Sequence, residues 1–306
     1  MAQETYTLGG TPTIVINACD GDLEIVGQPD DTGTATVAAG ALRGTAQRGD
    51  QLVVERCDDL RLTVPRGATI VVQRIAGDAR IERLAAARIG EIGGDLDARL
   101  IEGACTVGRV GGDAQVIGVA NLALGPVGGD ARLDDLTGAL RLARVDGDAT
   151  VRGAIDGFGP TGVGGDLTLD IHVVPGHEYR LDVGGDARIT LPADADLTLR
   201  ATVGGDVSGV ATSGRGAAET TWGEGSAQLI LHAGGDLVVH GSATQNIEEQ
   251  QRGPTYDPVT EAPASAAPAA AASEPDSALT VLEAVARGDI SAAEADDILS
   301  RTPYQS

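Results

Sequence analysis

A Gly-Asp pair returns along this chain at Asp78, Asp95, Asp113, Asp130, Asp148, Asp166, Asp186, Asp206 and Asp236, with successive spacings of 17, 18, 17, 18, 18, 20, 20 and 30 residues. Recurrence at a near-fixed period marks a stacked-repeat architecture, in which each unit is too small to bury its own apolar face and must lie on its neighbours. Three residues before the Asp stand Ile75, Ile92, Val110, Val127, Val145, Val163, Val183, Val203 and Ala233. One residue after it stand Ala79, Leu96, Ala114, Ala131, Ala149, Leu167, Ala187, Val207 and Leu237. Three after it come Ile81, Val116, Leu133, Val151, Leu169, Ile189 and Val239, while the position between is polar in Arg80, Asp97, Gln115, Arg132, Thr150, Thr168, Arg188 and Ser208. Period-two alternation that restarts at every corner specifies short strands, because a helix would space its apolar residues three and four apart.

The residue before each Asp is Gly in all nine repeats, as a corner needs when it takes a positive φ or leaves no room for a Cβ. A second corner is suggested by Gly103-Ala104 and Gly138-Ala139. The expected fold is all-β: a single-chain β-solenoid with coils of about 18 residues, a rod of roughly 40 Å if each coil adds one strand spacing. Only 2% of residues are aromatic, so the core is built from Val, Leu, Ile and Ala, which suits thin layers. Residues 1–74 are less regular and read as an irregular β cap, although Gly21-Asp22-Leu23-Glu24-Ile25-Val26 has the same character; residues 75–245 carry the repeats. A stretch rich in Ala, Pro, Ser and Glu then reads as a disordered linker over 246–276. In 277–303, Leu279, Leu282 and Val285 have helical spacing, Gly288 fits a helix end, Ile290 follows it, Ser291 and Glu294 fit a capping box, and Ile298 and Leu299 resume the period. This helical hairpin is too short to be stable alone, so it is expected to pair with another protein or with itself.

The formal net charge is −23 and all 22 basic residues are Arg, without a basic run, which excludes the footprint of a nucleic-acid-binding surface. No segment reaches the roughly 18 apolar residues of a membrane span, and Met1-Ala2-Gln3-Glu4-Thr5 does not open a signal peptide, so a cytoplasmic location is expected. Cys19, Cys57 and Cys105 have no metal-ligand spacing and are read as buried thiols. His172, His177, His232 and His240 form no H-x-x-x-H pair. The run Gly157-Phe158-Gly159-Pro160-Thr161-Gly162 matches a dinucleotide fingerprint in letters but lacks the helix it would have to open, so no cofactor is expected. Asp58-Asp59 and Asp134-Asp135 are adjacent carboxylates that a strand would send to opposite faces, unlike the paired acids of a glycosidase, and the chain is not expected to be an enzyme.

Two features remain as candidate sites. The nine Asp of the corners would stack about 5 Å apart and could weakly hold divalent cations, but turn chemistry explains them first: each Asp accepts backbone N–H groups across its own turn, with Arg80, Arg132 or Arg188 as countercharge. Trp222, the single tryptophan, lies in the long interval before Asp236, where it either meets a partner or folds down over the coil beneath.

With Gly21 to Val26, Val64-Pro65-Arg66-Gly67-Ala68-Thr69-Ile70 and the Gly-Asp repeats, the chain resembles the bacterial putative-adhesin family of β-strand repeat proteins over about residues 10–245. The tail from Leu282 to Ala295 is similar to the short helical module that often follows such domains and is regarded as an oligomerisation element. The resemblance implies a non-catalytic, adhesin-like scaffold; the alternatives are a polymer-forming cytoskeletal solenoid or, further off, a polysaccharide-active enzyme.

Overall fold

A computed structural model describes residues 2–28, 33–39, 42–214 and 216–241. The chain divides at Ile247 into two compact units, and all the described residues belong to the first. The expected linker and helical hairpin, with Leu282, Val285, Ile290, Ile298 and Leu299, lie outside the described residues.

The described residues are all-β, with twenty-four strands and no helix. Strands that follow a corner pair in parallel, in the register set by the repeat: Ala79 meets Leu96, Leu96 meets Ala114, Ala114 meets Ala131 and Ala131 meets Ala149. Strands that precede a corner make a second parallel set, in which Ile75 meets Ile92 and Ile92 meets Val110. Each repeat thus contributes one layer to both sets. The apolar columns anticipated on either side of the corner face inward: Ile75, Ile92 and Val110 are buried, as are Ala79, Leu96, Ala114, Ile81, Val116 and Leu133. Because equivalent residues stack directly on one another, every apolar column is continuous through the molecule and forms one core.

The order of the layers is not the order of the sequence at either end. Thr13–Cys19 lies between Gln51–Cys57 and Thr69–Ile75, and Leu23–Gln28 lies between Leu60–Pro65 and Ala79–Leu84, all in parallel. The first layer in sequence is therefore the second in space. At the far end, Ala227–Ala233 sits between Glu178–Val183 and Leu197–Val203, and Leu237–His240 sits between Ala187–Thr190 and Val207–Ser208. This order explains the long last spacing: Asp236 belongs beside Asp186, with Asp206 beyond it. Parallel pairing begins with Thr13–Cys19, within the less regular residues 1–74.

Antiparallel strands close both ends. Leu42–Arg48 pairs with Gln51–Cys57, Thr34–Ala39 with Leu60–Pro65, and Ala2–Thr7 with Thr34–Ala39. Ala217–Trp222 pairs with Leu197–Val203, and Thr212–Gly214 with Ala217–Trp222. Such strands occupy the backbone N–H and C=O groups that an open end would offer to other chains.

A further corner lies five residues after the Asp, where Arg83, Leu100, Gly118, Asp135 and Gly153 occupy equivalent positions with φ of 57°, 55°, 68°, 54° and 147°. The sequence hides it because the five residues share no single type, and Arg83 and Leu100 carry side chains that disfavour the left-handed region.

Candidate functional site

The corner aspartates form one continuous hydrogen-bonded ladder. The Oδ1 of Asp78 accepts the backbone N–H of Asp95 at 2.9 Å, and Asp95 accepts that of Asp113, Asp113 that of Asp130 and Asp130 that of Asp148, each at 2.8 Å. The series continues through Asp166 and Asp186, passes to Asp236 and ends with Asp236 accepting from Asp206, again at 2.8 Å. At the other end Asp22 accepts from Asp78 at 3.0 Å, and Asp59 accepts from Asp22 at 3.1 Å. The carboxylates therefore bridge between layers and do not close their own turns, which corrects the turn reading in its detail. Asp22 and Asp59 are members that the repeat spacing missed.

The same geometry explains the glycines. None of the Gly residues preceding a ladder Asp has a positive φ. A Cβ on Gly94 would lie 2.0 Å from Asp78 Oδ1, one on Gly112 would lie 2.0 Å from Asp95 Oδ1, and one on Gly165 would lie 2.1 Å from Asp148 Oδ1. The carboxylate of one layer fills the space that a side chain on the next would need. Backbone bonds complete the corner: Gly112 N–H donates to Gly94 C=O at 2.9 Å, and Leu96 N–H donates to Asp113 C=O at 2.8 Å. Asp58 stands where the other corners have Gly, and the ladder accounts for it: Asp59 is the terminal member, so no preceding carboxylate competes for the space.

Arg80 and Arg132 do not neutralise the ladder, as had been expected of them. Arg80 reaches Glu82 at 3.9 Å, and Arg132 reaches Asp134 at 2.7 Å. Arg152 approaches Asp134 from the next layer at 3.2 Å, and Arg61 approaches Glu24 at 2.6 Å. Beside the ladder run two hollows of about 480 Å³ each, which share Asp78 and Arg80. Their walls alternate in charge, with Glu24, Arg61, Arg80, Asp97 and Arg132 pointing outward between the corners. An open groove of this kind offers repeated hydrogen-bonding groups to an extended polar ligand. Among the described residues no three His, Cys, Asp or Glu side chains converge as a bound metal would require.

Trp222 is 2% exposed, in the strand that closes the far end, opposite Leu197. It covers the layer beneath, so a partner could touch it only after that strand had opened. His172, His177 and His240 are exposed, and His232 is exposed beside Asp182 at 3.0 Å. The run from Gly157 to Gly162 lies inside the strand Ala149–Val163, where Phe158 is in register with Tyr179. Tyr179 is fully buried; its hydroxyl donates to Ile155 C=O and accepts from Val174 N–H, each at 2.9 Å, and pins the turn before its strand. No motif announced that role, since a lone Tyr in a strand reads simply as core.

Fold and site together define an all-β repeat protein whose recurrent acidic residue holds one layer to the next. No family model matches the chain, and no curated protein does. Among solved structures it is similar to a putative adhesin from Bacteroides fragilis NCTC 9343, at 12% identity and a TM-score of 0.33 over 78% of this chain and 96% of that one. It is also similar to a putative cell adhesion protein from Clostridium sporogenes ATCC 15579, at 10% identity and a TM-score of 0.19 over 78% of this chain and 99% of that one. A putative adhesin from Parabacteroides merdae ATCC 43184 shows 10% identity and a TM-score of 0.28 over 78% and 95%.

Proposed function

We propose that this chain is a non-catalytic interaction scaffold: a β-solenoid that presents an acidic lateral face and its flanking groove to an extended polar partner, while the tail provides self-association or docking. The observation that carries this reading is the ladder. The recurrent carboxylate is occupied by the backbone N–H of the next layer from Asp59 to Asp236, so the chain's repeated chemistry maintains a long surface and does not converge on a reacting centre. In-register parallel pairing across successive repeats supports the solenoid winding. The antiparallel strands at both ends speak against a polymer built by end-to-end stacking.

The test compares the full chain with one ending at Gln245. Sedimentation and affinity capture are expected to show a monomer that loses the tail-dependent partner or self-association, with the melting transition of the body retained. Equal solution mass and equal capture in both forms would remove the docking role from the tail.

A further inference from the structure

We propose that Cys19 and Cys57 are a redox-responsive staple, a pair of thiols that closes to a reversible disulfide and locks the terminal layer to the one inside it. The two residues are register partners on neighbouring parallel strands, Thr13–Cys19 and Gln51–Cys57, and both side chains point into the core at 1% exposure. In-register positions on adjacent strands are about 4.8 Å apart, inside the roughly 4.4–6.8 Å that a disulfide spans between Cα atoms. The pairing thus meets the Cα requirement for a bridge, and the Cβ atoms need only a small closing shift at this end layer.

Cys19 Sγ donates to Asp58 C=O at 2.8 Å and Cys57 Sγ to Ala18 C=O at 3.5 Å; the two neighbouring thiols shift each other, Cys19 below the ordinary thiol range and Cys57, with burial, above it. Thiols this close ionise one at a time, so a single thiolate forms first and its neighbour is left to resolve the product. Cys105 provides the contrast: burial alone pushes its thiol up to about 12, and its register partners are Ala87 and Leu122. The odd cysteine count thus resolves into a pair and a single inert thiol.

The position of the pair gives the bond a structural effect. Cys57 lies in the outermost layer of the parallel stack, covered by the antiparallel strand Leu42–Arg48, and end strands open more readily than central ones. Opening admits a small oxidant such as hydrogen peroxide. The Cys19 thiolate attacks one peroxide oxygen, the O–O bond breaks and hydroxide leaves, giving a sulfenic acid. The Cys57 thiolate then attacks the Cys19 sulfur and expels the second hydroxide. Two thiols and one hydrogen peroxide become one disulfide and two waters once the two thiol protons are counted. The bond closes a loop from residue 19 to residue 57 that contains the capping strands Thr34–Ala39 and Leu42–Arg48, so it restrains the whole end.

The experiment treats the full native chain with hydrogen peroxide, blocks the remaining thiols by alkylation during denaturation, and maps the peptides without reduction. The expected product is a Cys19–Cys57 linkage with Cys105 alkylated, reversed by dithiothreitol, and a melting temperature higher than that of the reduced chain by on the order of 5 °C. Cys105→Ser should give the same linkage and Cys57→Ser none. Three alkylated thiols after treatment, a linkage involving Cys105, or a lower melting temperature on oxidation would each overturn the proposal; because the mapping is done on the unaltered chain, it does not depend on any variant folding.

Discussion

At each corner, residues of two layers compete for one small volume, and Asp and Gly resolve the competition jointly. Asp95 accepts the N–H of Asp113 from a position that a Cβ on Gly112 would occupy. Gly112→Ala is therefore expected to cost about 1–3 kcal/mol by overpacking, and Asp95→Ala about 1 kcal/mol through the lost acceptor. The pair should be non-additive, since Gly112→Ala costs less once the Asp95 carboxylate is gone; urea unfolding of both single variants and the double variant measures that coupling. Leu100 tests the other corner. It is 48% exposed and held at φ 55°, so Leu100→Gly relieves a left-handed strain while losing little burial, and a gain of roughly 0.5–1 kcal/mol is expected from the same measurement.

Elements at the two ends carry side-chain contacts of their own beyond the ladder. Asp20 and Arg56, on neighbouring layers, are bonded through two contacts of 2.5 and 2.9 Å, and the guanidinium hydrogen bond holds the Asp20 carboxyl below its ordinary range. A carboxyl whose pKa is lower folded than unfolded contributes stability above its unfolded pKa and loses it as pH falls through the folded value. Arg56→Gln should therefore lower the melting temperature at pH 7, and the difference from the native chain should shrink as pH falls below the ordinary Asp range and Asp20 takes up its proton, as differential scanning calorimetry across pH would record. At the opposite end Trp222→Ala removes the large side chain that anchors the closing strand. A loss of about 3–5 kcal/mol is expected in the stability of that end, with concentration-dependent association in light scattering as the Leu197–Val203 edge becomes available.

The formal charge of the whole chain is −23, and the ladder places part of its acid along the length of the body. One oxygen of every ladder carboxylate up to Asp236 already accepts an N–H, and neighbouring members are separated by a full strand spacing. Calcium titrated into the full chain by calorimetry is accordingly expected to release no binding heat and leave the melting temperature unchanged; a stoichiometric heat would revive the cation reading. The groove beside the ladder is the surface that remains, because Glu24, Arg61, Arg80, Asp97 and Arg132 line it from between the corners, outside the ladder's backbone bonds.

The sequence by itself determined the strand period, the inward columns and the identity of the corner residue, because stacking makes each layer repeat the demands of the last. Asp22 was legible as a Gly-Asp pair, but its place in the ladder was not, since its neighbours in space are Asp59 and Asp78, far away along the chain. Asp59 was harder still: the terminal layer needs no Gly, so the repeat's own signature disappears where the ladder starts. The groove, the Tyr179 bridge and the Cys19–Cys57 pairing depend on which layers lie side by side. Only tertiary structure decided that, because backbone pairing between parallel strands constrains register and burial but does not require layers to follow one another in the order of the chain.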